Sequence, residues 1–272
     1  MMRAVKHLIG ATLLGAGVLA AGSASAAQCG STAAGFEAWK DDFAQEAKAR
    51  GVGATAISAL MSTNYNTATI RADRSQGGFR LSLDQFLAKR GGATIVSRGR
   101  SLKASNAALF QSIEQRYGVP PGPLLAIWGM ETGFGAVRGN QHALSAVATL
   151  AYDCRRSAFF TEHLYAALTL IDRGVLSPSA RGSMHGEIGQ TQFLPKAILT
   201  YAGGGNLDNS GAALTATAAF LKGHGWRAGA GYQPGEPNFA AIQGWNAAPV
   251  YQRAIALLGE QIDGGGGRSA SR

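Results

Sequence analysis

The chain has 272 residues, of which 46% are hydrophobic and 15% are charged; this composition favours a folded protein and excludes a disordered chain or a disulfide-dense miniprotein. The net charge of +9 favours anionic partners, but its sign alone does not choose between nucleic acid, acidic lipid and an acidic polymer. The 38 glycines have no three-residue period, which excludes collagen, and they predict loops that let another molecule approach the backbone.

Residues 1–26 are predicted to form a secretory signal peptide. Arg3 and Lys6 precede an apolar run over residues 9–21, and a following run of small residues offers cleavage after Ala26 or Ala27. An uncleaved membrane anchor is the alternative, but the apolar run is shorter than the roughly 20 residues that a span needs. We therefore expect a periplasmic protein without a stable membrane anchor, for which nucleic acid is not a partner.

Apolar residues recur at intervals of three and four along most of the remaining chain, which predicts helices. The expected helices cover residues 36–47, 57–61, 83–88, 93–117, 120–131, 144–152, 157–173, 195–201, 212–221 and 250–262. Residues 64–78 are polar and turn-rich, residues 182–189 are glycine-rich, and no segment alternates as a strand would. The pattern predicts a mainly α protein with one domain over residues 27–262 and a flexible tail over 263–272.

The two cysteines, Cys29 and Cys154, lie in the predicted secreted part of the chain. Disulfides persist in oxidising compartments, and two free thiols are less common there than one pair. We therefore expect a disulfide between Cys29 and Cys154. The alternative is an unpaired Cys29 near the new N-terminus and a buried thiol at Cys154.

Glu131 is the acidic residue with the most suggestive surroundings. In a helix its side chain shares a face with Ile127 and Trp128, which would surround the carboxyl with apolar surface. Desolvation raises the pKa of a carboxyl group, as a general acid requires. Gly133 and Gly135 would let a bulky substrate reach the helix end. The alternative is an ordinary solvated carboxylate at the end of a helix.

Other candidate sites are weaker. The segment around Ser183 is a near miss for a hydrolase nucleophile turn, because Arg181 stands where a glycine belongs and no strand precedes it. Residues 133–139 have the wrong spacing for a dinucleotide fingerprint. The histidines after the signal peptide show no metal-ligand spacing; they are His142, His163, His185 and His224. No metal and no cofactor are expected.

Three segments, in the right order, resemble one family, the membrane-bound lytic murein transglycosylase B family. Residues 117–135, which include Glu131, resemble its catalytic-helix signature. Residues 182–195 resemble its Gly-x-x-Gly-x-x-Gln-Phe-Met-Pro segment, with Ser183 at the expected distance before Gln192. Trp245-Asn246-x-x-x-x-Tyr251 is similar to its C-terminal Tyr-Asn-x-x-x-x-Tyr. The resemblance covers roughly residues 36 to 262, and three ordered motifs are far more specific than one.

The resemblance implies a lysozyme-like transglycosylase fold with a substrate groove, acting as a monomer on peptidoglycan glycan strands. It implies that Glu131 is the single catalytic acid and base, which cleaves the bond between N-acetylmuramic acid (MurNAc) and N-acetylglucosamine (GlcNAc) without water and leaves a 1,6-anhydro end. The groove would be lined by four polar residues, Ser183, Gln192, Asn246 and Tyr251, and walled by three aromatic ones, Phe134, Tyr201 and Trp245.

The sequence also departs from the family pattern. The acidic loop that can hold calcium in other members is here a short, glycine-rich segment over residues 203–208 with one carboxylate, so a calcium site is not expected. Leu194 and Trp245 replace the usual methionine and tyrosine. Two alternatives stay open: a hydrolytic muramidase, which would want Asp153 or Glu187 near Glu131, and a non-catalytic glycan-binding protein.

Overall fold

A computed structural model describes residues 27–75 and 81–265. The predicted signal peptide and most of the predicted tail lie outside these residues. Within the described part of the chain, no helix is long and apolar enough to cross a membrane.

The described residues contain thirteen α-helices, which confirms the mainly α class. They are α1 (Phe36–Ala49), α2 (Ala54–Met61), α3 (Thr67–Arg74), α4 (Leu83–Arg90), α5 (Gly92–Ser105), α6 (Ala107–Tyr117), α7 (Pro121–Thr132), α8 (Ala143–Tyr152), α9 (Ser157–Asp172), α10 (Pro195–Tyr201), α11 (Ser210–Gly223), α12 (Phe239–Trp245) and α13 (Pro249–Asp263). Two short strands, β1 (Gln141–His142) and β2 (Arg181–Gly182), pair antiparallel with Gln141 opposite Gly182. Strands of two residues are too short to show an alternating pattern.

Helix α3 lies in a segment that the sequence predicted to be turn-rich, and that prediction was wrong. The side chain of Asn66 caps the helix by accepting hydrogen bonds from the backbone N–H groups of Ala68 and Thr69. Thr69 and Ile70 are buried. A good N-cap and a narrow buried face therefore stabilise a helix of mostly polar residues.

The single helix predicted over residues 93–117 is in fact two helices, α5 and α6. Asn106 leaves the helical conformation between them, with φ −120° and ψ 32°. Its side-chain amide donates to the carbonyl of Leu102 at 3.0 Å, an example of an asparagine side chain competing with the helical backbone.

Helix α7 is buried on all sides at the centre of one hydrophobic cluster. The residues from Pro121 to Met130 are all buried, and helices α5, α11 and α13 pack against α7. This environment explains why the helix has no polar face. Its burial fixes the position of the residue that follows Met130, which is Glu131.

A second hydrophobic cluster is formed by helices α1, α2, α8 and α9. The disulfide between Cys29 and Cys154 lies beside it, with the two Cα atoms 5.0 Å apart, and confirms the predicted pairing. The backbone N–H of Gly30 donates to the carbonyl of Tyr152 at 2.9 Å. The segment before α1 is therefore attached to the end of α8 by both a covalent bond and a hydrogen bond.

Candidate active site

The buried helix α7 presents Glu131 at its C-terminal end. Gly133 ends the helix in the left-handed conformation with φ 59°, which is strained for residues that have a side chain. The backbone N–H of Gly133 donates to the carbonyl of Gly129 at 3.0 Å. The chain therefore turns away directly after Glu131 and leaves this carboxyl at the wall of a cleft.

Two neutral donors hold the Glu131 carboxyl. Trp245, the last residue of α12, donates its indole N–H to Oε1 of Glu131 at 2.9 Å. Tyr251, in the first turn of α13, donates its hydroxyl to the same oxygen at 2.8 Å. Because both bonds go to Oε1, the other oxygen, Oε2, is the better place for the proton of the acid form.

The surroundings of Glu131 favour its protonated form. Burial raises the pKa of Glu131 to about 7, and the nearby carboxylate of Glu187 adds to this shift. The hydrogen bonds from Trp245 and Tyr251 and the positive charge of Arg90 oppose the shift but do not cancel it. Near neutral pH, Glu131 can therefore both give and take a proton, as one residue acting as acid and base must.

The glycine-rich segment after β2 forms a tight turn against the end of α7. Ile188 and Phe193 exchange backbone hydrogen bonds of 2.9 and 3.0 Å across residues 189–192. Within the turn, Gln190 accepts a 2.8 Å bond from the Trp128 indole through Oε1 and a 2.6 Å bond from the Thr132 hydroxyl through its carbonyl. Sequence reasoning missed Gln190, whose contacts fix this turn on the end of α7.

Gln192 lines the cleft from the end of this turn. It has a positive φ of 57°, which is uncommon for a residue with a side chain and marks a constrained position. Its side-chain amide donates to the carbonyl of Gly189 at 2.9 Å, which fixes the orientation of the amide.

Ser183 does not line the cleft itself; its side chain bonds to Glu187, which does line the cleft. The Ser183 hydroxyl donates to Oε2 of Glu187 at 2.7 Å. The same oxygen of Ser183 accepts the backbone N–H groups of His185 and Glu187, both at 3.1 Å. The structure thus places the predicted serine behind a carboxylate.

The cleft has a volume of about 440 Å³ and combines two acidic side chains, Glu131 and Glu187, with amide and aromatic side chains. Of the predicted groove residues, Gln192, Tyr201, Trp245 and Asn246 line it. Asn246 also accepts the backbone N–H of Ala248 at 2.9 Å, so it has a capping role as well. Flat aromatic rings beside amides and a carboxyl are well suited to sugar rings, which have apolar faces and polar edges.

Three predicted groove residues are not among those that line the cleft: Ser183, described above, Phe134 and Tyr251. Phe134 is 8% exposed and packs edge-on against Trp128, with ring centroids 5.4 Å apart. Tyr251 is 4% exposed and contacts Glu131 from the protein interior. Burial and the Glu131 carboxyl raise the pKa of Tyr251 well above its ordinary value, so its hydroxyl keeps its proton and acts as a donor.

Several cleft residues carried no signal in the sequence. They come from α9, α10 and α11 and include Phe159, His163, Lys196, Phe220 and His224. Burial, together with the charges of Lys196 and Arg156, lowers the pKa of His163 to about 4, and its Nδ1 accepts the backbone N–H of Lys196 at 3.2 Å. At neutral pH, His163 is therefore an uncharged part of the wall.

Of the two carboxylates considered as partners for Glu131, only one lines the cleft. Asp153 is 4% exposed and pairs with Arg74 at 2.7 Å on the side of the disulfide. Glu187 lines the same cleft as Glu131. A second carboxylate is therefore present near the candidate acid.

In the short loop over residues 203–208, the single carboxylate, that of Asp208, forms an ion pair. Asp208 pairs with Arg138 at 2.8 Å, and its backbone N–H donates to the Asn206 side chain at 2.9 Å. Throughout residues 27–75 and 81–265, no group of three or more His, Cys, Asp or Glu side chains could hold a metal ion. Calcium would need roughly six to eight oxygen ligands.

We expect chelation to leave the protein unchanged. Treatment with a calcium chelator should not alter the melting temperature or the activity of the protein, because the loop offers too few oxygens for the ion. Both quantities should be measured before and after chelation and again after calcium is restored. A large loss that calcium reverses would contradict this expectation.

Most of the chain matches a known protein family. Residues 35–234 match the model of the family described as "Transglycosylase SLT domain". The chain is also 35% identical over 139 residues to membrane-bound lytic murein transglycosylase B of Escherichia coli strain K12, an alignment that covers 46% of this chain and 38% of the relative. The chain therefore spans less than half the length of that curated relative.

Solved structures with the same fold include several that carry ligands. The crystal structure of SltB3 from Pseudomonas aeruginosa in complex with NAG-anhNAM-pentapeptide has a TM-score of 0.77 and 28% identity, covering 84% of this chain and 80% of that one. Slt35 of Escherichia coli in complex with calcium has a TM-score of 0.72 and 23% identity, covering 88% and 96%. The expected lysozyme-like transglycosylase fold is confirmed.

Proposed function

The chain belongs to the transglycosylase SLT domain family, and we propose that it is a lytic murein transglycosylase. It would cleave the β-1,4 bond between MurNAc and GlcNAc in peptidoglycan without water and leave 1,6-anhydro-MurNAc ends. The observation that carries this proposal is Glu131, a carboxyl with a pKa raised to about 7 by burial and held by Trp245 and Tyr251 at the wall of an aromatic cleft.

The geometry supports a reaction with one acid and base. Protonated Glu131 donates the proton of Oε2 to the glycosidic oxygen as the bond to the anomeric carbon breaks. The resulting Glu131 carboxylate then takes the proton of the muramoyl C6 hydroxyl while that oxygen bonds to the anomeric carbon. The proton lost in the first step is thus recovered in the second, and no water is consumed.

The cleft residues supply positions for the sugar rings. Trp245 and Tyr201 offer aromatic surface, and Gln192 and Asn246 offer amides that can bond to hydroxyl and acetamido groups. The crystal structures of SltB3 with NAG-anhNAM-pentapeptide and with NAG-NAM-pentapeptide, which are 28% identical to this chain, support a peptidoglycan glycan strand as the ligand.

We also propose that the protein acts as a monomer in the periplasm, after removal of residues 1–26 and without a stable membrane anchor. The charged, apolar and small-residue pattern of those residues supports export. The domain would extend over residues 27–262, followed by a glycine-rich tail over 263–272. The excess of basic residues suits a wall polymer that carries stem-peptide carboxylates.

The products of wall digestion test the reaction directly. We expect purified sacculi to yield muropeptides that end in 1,6-anhydro-MurNAc, lighter than hydrolysis products by one water. Digestion in ¹⁸O-labelled water should leave the new ends unlabelled. Reducing ends that carry the label would mean that water attacks.

A hydrolytic muramidase is the second candidate, and the presence of Glu187 in the cleft favours it. In hydrolysis a second carboxylate can activate water or act as a nucleophile. The labelling experiment separates the two functions because only hydrolysis transfers solvent oxygen to the product.

The pH dependence should show the titration of Glu131. Because its pKa is raised to about 7, the acid proton is held below this pH and lost above it, so kcat/KM should fall about tenfold per pH unit on the alkaline side. Tyr251→Phe removes a hydrogen bond that lowers this pKa and should move the alkaline limb to higher pH. An unchanged limb in this variant would contradict the assignment.

A further inference from the structure

We propose that Glu187 is a second functional carboxylate, which accepts the N–H of the 2-acetamido group on the muramoyl ring and turns the acetamido oxygen toward the anomeric carbon. The proposal rests on the transglycosylase function proposed above and names a residue that takes part in it. It concerns the step between departure of the leaving group and closure of the anhydro ring.

The first support is the location of Glu187. It lines the same cleft as Glu131 and Gln192, and it is close enough to Glu131 to raise the pKa of that residue. A sugar ring whose glycosidic oxygen lies at Glu131 would therefore have its neighbouring substituents within reach of Glu187. The acetamido group is attached to the carbon next to the anomeric carbon.

The second support is the way in which Glu187 is held. The Ser183 oxygen accepts two backbone N–H groups, from His185 and Glu187, so its lone pairs are occupied and its proton points to Oε2 of Glu187. Oε2 is thus an acceptor in this arrangement. Because the hydroxyl of Ser183 is itself fixed, its hydrogen bond holds the Glu187 carboxylate in one orientation.

The loop that carries both residues is fixed to its surroundings. The backbone N–H of Ser183 donates to the carbonyl of Glu187 at 2.8 Å, and Gly182 belongs to β2, which pairs with β1. Thr69 of α3 donates its hydroxyl to the carbonyl of Met184 at 2.7 Å. The carboxylate is therefore positioned before substrate binds, which is the condition for electrostatic stabilisation of a transition state.

The third support is an available acceptor. Within the described ranges of the chain, no side chain or backbone group donates a hydrogen bond to Oε1 of Glu187. A substrate N–H can fill this place. Glu131 likewise receives both of its donors on one oxygen, Oε1, so each of the two carboxyl groups of the cleft keeps one oxygen for the substrate.

An acceptor at this place would assist the chemistry of the acetamido group. As the glycosidic bond breaks, the acetamido oxygen bonds to the anomeric carbon and the nitrogen gains positive charge in an oxazolinium ring. A negative acceptor at this N–H binds the charged form better than the neutral amide, so it stabilises the transition state more than the ground state. The C6 oxygen then displaces the acetamido oxygen, while Glu131 takes the C6 proton.

The test begins with Glu187→Gln, which keeps an oxygen for Ser183 and removes the charge. We expect kcat to fall roughly 100-fold while KM changes by less than about threefold, which is the lower end of the loss usual when one preorganised transition-state contact is removed. The alkaline limb of kcat/KM should move to lower pH, because Glu187 raises the pKa of Glu131. Glu114→Gln, on the exposed face of α6, is the control and should match the wild type.

A substrate analogue separates the proposed contact from a structural role. A synthetic glycan in which the muramoyl 2-acetamido group is replaced by 2-acetoxy keeps the carbonyl and lacks the N–H. The wild type should cleave it more slowly than the natural glycan, and Glu187→Gln should lower kcat much less on this analogue than on the natural glycan, because the analogue has no N–H for Glu187 to accept. An equal loss on both substrates, or wild-type kcat in this variant, would overturn the proposal.

Two further measurements keep the outcome decisive. If Glu187→Gln melts at a much lower temperature than the wild type, Glu187→Asp is used in its place. The kcat of Glu187→Asp, divided by that of the wild type on the same substrate, must then be lower for the natural glycan than for the analogue. The products of the wild type are analysed first. Labelled reducing ends there would defeat the transglycosylase proposal itself, whereas anhydro ends with an unaffected Glu187 variant would defeat only this inference.

Discussion

Glu131→Gln is expected to lower the rate of wall lysis by orders of magnitude while the fold and glycan binding survive. The substitution keeps the shape of the side chain and its hydrogen bonds from Trp245 and Tyr251, but it removes the titratable proton. General acid–base catalysis by one residue commonly contributes roughly 10² to 10⁴-fold to a rate. Release of muropeptides from sacculi measures the effect.

The melting temperature supplies the control for this variant. Since burial raises the pKa of Glu131 from its usual value of 4.5 to about 7, ionisation of this group disfavours the folded state as the pH rises through that range. Glu131→Gln should therefore melt no lower than the wild type at pH 8. Normal lysis by the variant would contradict both enzyme hypotheses that place the acid at Glu131.

The position of the acid could be predicted because it depends on local pattern. Proline in the first turn, apolar residues on every face and glycines after Glu131 describe a buried helix that ends beside a loop. The structure places α7 with its end at Gly133. The disulfide was also predictable, because only two cysteines exist.

The remainder of the cleft could not be read from spacing because it is assembled by long-range packing. Phe159 on α9 and Phe220 on α11 face the same cleft as Glu131, yet no short motif joins these helices. Phe134 shows the opposite case: it follows Gly133 in the motif around Glu131, but its positive φ of 61° turns it into the core against Trp128.

The relation between Ser183 and Glu187 was likewise hidden in the sequence. Each was considered there for a separate reason, the serine from the family motif and the glutamate as a second carboxylate. The hydrogen bond of 2.7 Å between them depends on a turn in which both backbone and side chain of Ser183 bond to Glu187. Such a turn is fixed by its tertiary setting between β2 and α3.

The largest predicted effect on stability comes from the disulfide. Replacing both cysteines, Cys29→Ser with Cys154→Ser, should lower the free energy of unfolding by at most about 4 to 5 kcal/mol, because the bond closes a loop with a sequence separation of 125 residues and in the chain-entropy model restricts the unfolded chain. At roughly 2 to 4 °C per kcal/mol for a domain of this size, the melting temperature should fall by at most about 8 to 20 °C.

Activity at 25 °C should change much less than stability in this double variant. The disulfide lies beside the cluster of α1, α2, α8 and α9, whereas Glu131 ends a helix in the other large cluster. Hydrogen bonds of Gly30 with Tyr152 and Cys154 also remain available to the segment before α1.

Thermal unfolding and sacculus lysis should be measured on the same preparations, with thiol titration to verify that the wild type has no free cysteine. An unchanged melting temperature would show that the unfolded chain is already restricted without the bond, and a loss of activity at 25 °C in a folded variant would show that the bond affects the cleft.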